Sequence, residues 1–231
     1  AGEQRNSAPR AVGFAARAPE GAALAILMAS AALPDGLDLA EADRRAIEAA
    51  IASAGYVGKA GEVLALRGIG QRPAILLTGT GPAPDATALR EAAGRAAQQL
   101  RSEKAPLALA GAPDGARMAE AAFGFALGDY RFARFKSASR DKPAAAPLTV
   151  VGAAADAARA AWTGRHAALV EGVTLARNLA NEPASVIYPQ SFVDRAREAL
   201  AGVAGVSIEV LDEAAMRKLG MGALVGVGQG S

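Results

Sequence analysis

Short apolar runs alternate with longer Ala-rich stretches along this chain, and that alternation constrains the fold more than any single motif. Ala11 to Ala16, Ala22 to Met28, Glu62 to Leu66, Ala74 to Thr78, Leu107 to Ala110 and Leu148 to Val151 are each four to seven residues long. Apolar runs of that length, bounded by turn residues, read as strands. Between them stand Asp38 to Ala54, Asp85 to Lys104 and Ala116 to Leu127, which read as helices. In the first, Leu39, Ala42, Ala46, Ala49 and Ala50 recur at helical spacing and Asp38 reads as the N-cap. Gly55 and Gly58 end it, Pro106 lies beyond the second helix and Gly128 closes the third. The 62 Ala residues make such helices easy to form. Strands alternating with helices of these lengths predict an α/β layer structure with a mixed, largely parallel sheet.

The pattern changes after Gly152. Ala153 to Leu179 is one long helical stretch, long enough to bridge two bodies. Pro183 to Pro189 reads as loop, and Pro189 suits the first turn of a helix reaching Leu200. Val206, Ile208 and Val210 alternate with Ser207 and Glu209, the pattern of a strand with one wet face. Asp212 caps a short helix to Leu219, and Met221 to Val227 is apolar. These features place residues 1–152 in an N-terminal α/β domain. Residues 153–231 become a connecting helix and the opening of a second, incomplete α/β domain. Val206 to Leu211 and Met221 to Val227 then lack sheet partners. Residues beyond about Gly205 are expected to be mobile, exchanged between chains or buried against a neighbour.

Composition removes several chemistries. The chain has no Cys, which excludes disulfides, thiolate metal sites and thiol nucleophiles within it. Its one His, His166, excludes two-His metal motifs. With 25 basic against 23 acidic residues, it carries no global field for a phosphate backbone. No run of about 18 apolar residues predicts a membrane span. The polar start, Ala1 to Arg10, lacks the apolar core of a signal peptide, so a soluble cytoplasmic protein is expected.

Each candidate site has a structural alternative. His166 sits in a long helix with no nucleophile elbow nearby, and reads as a surface or interdomain contact. Gly226, Gly228 and Gly230, like Gly68 and Gly70, read as turns rather than phosphate loops. Arg131, Arg134, Lys136, Arg140 and Lys142 lie among Tyr130, Phe132 and Phe135. That interleaving suits base stacking, but reads better as a strand with buried aromatics followed by a loop. Asn178, Asn181 and Glu182 read as helix-ending structure before Pro183. Asp212–Glu213 and Glu41–Asp43 suit helix N-termini.

One region carries a specific resemblance. The string from Glu171 through Leu175-Ala176-Arg177-Asn178-Leu179-Ala180-Asn181-Glu182-Pro183-Ala184 is followed by Pro189-Gln190-Ser191-Phe192. Ile208 to Glu213 and Gly220 to Ser231 come next. The chain resembles the cytosolic leucyl aminopeptidase (M17) family at the point where the catalytic domain begins. Leu127-Gly128-Asp129-Tyr130-Arg131-Phe132, with Phe135-Lys136, is similar to a motif late in that family's N-terminal domain. Tyr188 stands where the family usually has a capping Thr, a small stability cost.

The resemblance implies a macro-like N-terminal domain and a parent exopeptidase that releases N-terminal residues from peptides. It implies two divalent ions, manganese or zinc, and a hexamer with this domain on the outside. The family's ligand motifs, a Gly-Lys-Gly strand and an Asn-Thr-Asp-Ala-Glu-Gly-Arg signature, do not occur here. No catalytic, cofactor-binding or metal residue is therefore assigned to this chain, and alone it is expected to be inactive. A macro-like module binding ADP-ribose near Thr78-Gly79-Thr80-Gly81 is the alternative, and nucleic-acid binding through Arg131 to Lys142 a weaker one.

Overall fold

The computed structural model describes residues 9–135 and 145–229, so Lys136, Arg140, Lys142, Gly230 and Ser231 lie outside the described residues. Six apolar runs become six strands: β1 (Val12–Ala15), β2 (Ala23–Met28), β3 (Val63–Leu66), β4 (Ile75–Gly79), β5 (Leu107–Ala110) and β6 (Leu148–Val151). They form one sheet in the order β1-β6-β5-β2-β4-β3. Every neighbouring pair is parallel except β3 against β4. Parallel neighbours need long crossovers. Three helices supply them: α1 (Glu41–Ala54), α2 (Ala86–Gln99) and α3 (Gly115–Asp129).

The strands β2, β4 and β5 are buried along their whole length, as continuous apolar runs require when both faces are covered. Leu27, Leu76, Leu109 and Val150 point to one face, against Leu89 and Ala93 of α2 and Met118 and Phe125 of α3. Leu24, Ile26, Leu77 and Ala108 point to the other, with Ile47 and Ile51 of α1 and Tyr56. Burial and then the nearby Glu62 carboxylate push the Tyr56 phenol up. Helices α2 and α3 meet at backbone distance. A Cβ on Gly124 would sit 2.2 Å from the Arg90 carbonyl oxygen, and one on Gly128 would sit 2.5 Å from that of Gly94.

Two further helices, α4 (Ala155–Ala161) and α5 (Ala167–Asn181), flank a π-helical turn at Trp162–His166, so the predicted single helix is interrupted. After them come α6 (Pro189–Leu200), α7 (Glu213–Lys218) and α8 (Gly222–Gly228). The chain divides into two compact units, residues 1–178 and 179–231. The sequence boundary near Gly152 marks the end of the last strand. The first compact unit extends further because Ala155, Ala158 and Trp162 join the core beneath α3.

Local readings need correction. The N-cap of α1 is Ala40, with no side-chain cap, while Asp38 lies 3.9 Å from the exposed Arg17 guanidinium. Helix α3 continues through Gly128, whose missing side chain serves the approach to Gly94 rather than a helix stop. Residues 130–135 form no strand. Residues 206–211 form none either, since no described strand supplies the ladder their backbone groups need. Gly226 and Gly228 lie inside α8 rather than in a turn. Ser191 Oγ accepts from the Tyr188 backbone N–H at 2.8 Å, giving the start of α6 a cap that Tyr188 itself does not provide.

Candidate functional site

The strings 127–132 and 177–178, far apart in sequence, meet at the end of helix α3. A helix C-terminus leaves carbonyl groups without intrahelical partners. Arg177 Nη1 donates to the Leu127 carbonyl at 2.7 Å, and Arg101 Nη2 to the Gly128 carbonyl at 3.0 Å. Both guanidiniums also suit the negative end of the helix dipole. The next residue, Asp129, accepts from Arg10 Nε at 2.8 Å and Nη2 at 3.3 Å. The side chains of this pair are 3% and 8% exposed, so the bidentate geometry is shielded from water. Arg10 Nη1 also donates to the Ala146 carbonyl.

Tyr130 closes the cluster. Its hydroxyl donates to Asn178 Oδ1 at 2.9 Å, and the Arg177 guanidinium lies 5.3 Å from its ring centre. Arg131 donates to the Arg101 carbonyl and lies 3.7 Å from Asp129. Partial burial pulls the Arg131 guanidinium down and Asp129 opposes it. Arg134 lies over Phe135 at 5.6 Å, and Phe135 is exposed. The described part of the basic, aromatic segment therefore ties helix ends together. These contacts form a clamp, and among the described residues it brings no nucleophile and base within reach of each other. The motif itself was legible in sequence. Arg10 was not, since an Arg before the first strand has no local feature naming its partner.

His166 is buried rather than at the surface, and its partners Glu120 and Phe123 lie on the other side of the sequence boundary near Gly152. Its Nε2 lies 3.3 Å from Glu120 Oε1 and its Nδ1 3.2 Å from the Ala161 carbonyl. The ring stacks on Trp162 at 6.4 Å and meets Phe123 at 5.5 Å. The π-helical turn brings these groups together, and no nucleophile among the described residues faces them.

The other candidates separate. Asp212 accepts from the Ala215 N–H at 2.8 Å, and Glu213 pairs with Arg217 one turn on. Glu41 pairs with Arg45 at 2.9 Å. Gly68 and Gly70 both adopt left-handed φ, and a Cβ on Gly70 would strike the Asp43 carboxylate. At Thr78 to Gly81, where strand β4 ends, three successive amides are already engaged. Gly79 N–H donates to the Glu62 carbonyl, Thr80 N–H to Met28 and Gly81 N–H to Gly58, at 2.8, 2.8 and 2.9 Å. A shallow recess, open to solvent, lies over Ala16, Leu24, Ala110, Val151 and Gly152. Arg72 at its wall is committed to the Ala22 carbonyl at 3.1 Å.

Among the described residues, no three His, Cys, Asp or Glu side chains converge to hold a metal ion. Their chemistry explains this. Asp85, Asp114 and Asp212 cap helices, Asp129 is held by Arg10 and Glu120 faces His166. The described residues do not fit a two-metal centre, which needs several free oxygen donors converging on a pair of ions. No described helix is long and apolar enough to cross a membrane.

Comparison with known proteins finds two domain matches, in order along the chain. The N-terminal domain of the cytosol aminopeptidase family matches residues 12–139, and the catalytic domain of that family matches residues 174–231. A probable cytosol aminopeptidase of Gluconobacter oxydans is 38% identical over 233 aligned positions, covering 94% of this chain and 45% of the relative. One from Bradyrhizobium is 40% identical over 197 positions, covering 80% of this chain and 39% of the relative. The chain thus spans less than half the length of these relatives. A mutant of tomato leucine aminopeptidase superposes with a TM-score of 0.73 at 22% identity, covering 92% of this chain and 46% of that one, a likeness of fold. The bottromycin maturation enzyme BotP, in complex with Mn, superposes with a TM-score of 0.62 at 28% identity, covering 87% and 40%. With both domain matches in order and the clamp built from motif residues of each, this chain belongs to the cytosol aminopeptidase family.

Proposed function

We propose that this chain supplies the N-terminal domain and the opening segment of the catalytic domain of a leucyl-aminopeptidase-like exopeptidase. The observation that carries the reading is the order of the two domain matches, joined through the Asp129–Tyr130–Asn178 clamp. The clamp's work is structural: Arg10, Arg101 and Arg177 hold the end of α3, and Tyr130 holds the last turns of α5. The parent activity removes N-terminal residues, Leu among them, from peptides. In the parent, two divalent ions, manganese or zinc, would supply that chemistry as Lewis acids. The Mn complex of BotP supports a metal-dependent reading. We assign no metal ligand to the described residues, so no hydrolytic step is derived through them. A cytoplasmic hexamer carrying this domain on its outside is part of the same proposal.

The 231-residue chain alone is expected to turn over no leucine anilide in the presence of Mn²⁺. Turnover that copurifies with the 23.1 kDa species would overturn that expectation.

A further inference from the structure

One buried titratable group stands apart from the clamp. His166 is the chain's only histidine, and histidine is the side chain that changes charge near neutrality. Its side chain is 9% exposed and lies at the end of the π-helical turn between α4 and α5. Such turns are frequent at functional sites. Both ring nitrogens face oxygen acceptors: Nδ1 the Ala161 carbonyl at 3.2 Å, and Nε2 the Glu120 Oε1 at 3.3 Å. A neutral imidazole carries one N–H, so one nitrogen would turn a lone pair toward an oxygen. One further proton lets the ring donate to both. The ring also stacks on Trp162, with 8° between the planes, and an indole face attracts a cation.

The surroundings assign that proton to the ring rather than to the carboxyl. Glu120 Oε2 has no hydrogen-bond partner among the described residues and lies 3.6 Å from Arg90 Nη1 of α2, which favours the carboxylate. Other charges nearby are exposed or committed. Arg165 of the turn and Glu171 of α5 are exposed. Arg159 of α4 donates to Asp156 and to the Phe14 carbonyl, both at 2.7 Å, and Arg117 of α3 pairs with Asp114 at 2.6 Å. We propose that His166 and Glu120 form a proton-operated latch that fastens the π-helical turn, and with it the start of α5, to α3. The doubly protonated ring bridges Glu120 and the Ala161 carbonyl. Losing the Nε2 proton leaves a lone pair against a carboxylate oxygen, and the turn loosens. The clamp at the other end of α5, built from a guanidinium, a phenol and an amide, stays closed. Pairing favours the protonated ring in the folded chain. Its stabilisation is therefore present below the ring's titration, while Glu120 is ionised, and is lost as pH rises through it. The helix so affected is the one on which the catalytic-domain match begins, at residue 174.

The 231-residue chain offers two unambiguous reporters, one imidazole and one indole. Nitrogen NMR of the histidine-labelled chain should show Nδ1 and Nε2 both protonated below a single titration step. Trp162 fluorescence should change at the same pH. Amide exchange at residues 162–166, corrected for its intrinsic pH dependence, should rise about tenfold or more through the step, while β2 stays level. Glu120→Gln should remove most of that rise and move the ring's step to lower pH. His166→Phe keeps an aromatic ring in this position and should abolish the step in exchange and in fluorescence. Should either variant fail to fold, coincidence of the three readouts in the unsubstituted chain decides. A ring that titrates while exchange at residues 162–166 stays level overturns the latch. So does a ring that stays singly protonated from about pH 5 to about pH 9. An exchange step of unchanged size and position in Glu120→Gln overturns it as well.

Discussion

Arg10 and Asp129 are 119 positions apart, and their ion pair is among the most shielded polar contacts described. Breaking such a pair leaves one buried charge without its partner, which costs more than the pair contributes. Asp129→Asn is expected to lose about 3–5 kcal/mol of stability in urea denaturation. In the double variant Arg10→Met, Asp129→Asn the loss should be well below the sum of the single losses, because the stranded charge is gone. Asp114 behaves differently. Its carboxylate lies below the ordinary range, first because the Arg117 backbone N–H donates to it and then through the Arg117 guanidinium. A lowered folded value means the charged form stabilises the fold above about pH 4, the unfolded value, and this contribution is lost as pH falls further. Asp114→Asn keeps a capping oxygen but not the charge. Its melting temperature should fall below that of the unsubstituted chain at about pH 7, and the gap should close as pH falls from about 4 through the lowered folded value. A constant offset across that range would refute the assignment.

Helices α2 and α3 show why a glycine means different things in different elements. Gly124 faces the backbone of Arg90, so Gly124→Ala must push the helices apart and is expected to cost about 1–3 kcal/mol. Gly172 lies in α5 with nothing within 4 Å of the place a methyl group would occupy, so Gly172→Ala should gain about 0.5–1 kcal/mol from helix propensity. Thermal melts of the two variants should move in opposite directions. The sequence showed both residues inside helical patterns and offered no means to separate them, because the distinction depends on which face another helix approaches. The same limit explains Gly128. A glycine near the end of a periodic run reads as a stop, yet here it permits the crossing with Gly94.

Across the whole molecule, stability is concentrated in the sheet. Strands β2 and β5 are buried at every residue, whereas α6 and α7 bury none. Local opening is easiest where few apolar contacts must be broken. Amides of β2 and β5 should therefore exchange slowest in the isolated chain, and those of α6 and α7 with little protection, in a mass-resolved exchange experiment. Protection of α6 equal to that of β2 would contradict this reading. The alternation of apolar runs with Ala-rich helices determined the α/β class, the six strands and their three crossover helices, because burial on both faces imposes continuous apolar strands. The family was legible too, since its motif strings are local. The tertiary structure alone decided which distant groups meet: Arg10 with Asp129, Tyr130 with Asn178, and His166 with Glu120. It also decided that Val206 to Val210, though patterned as a strand, is not one here. A helix satisfies its own backbone and can be read from its own residues. A strand and a buried ion pair are each half of an interaction, and their other half lies elsewhere.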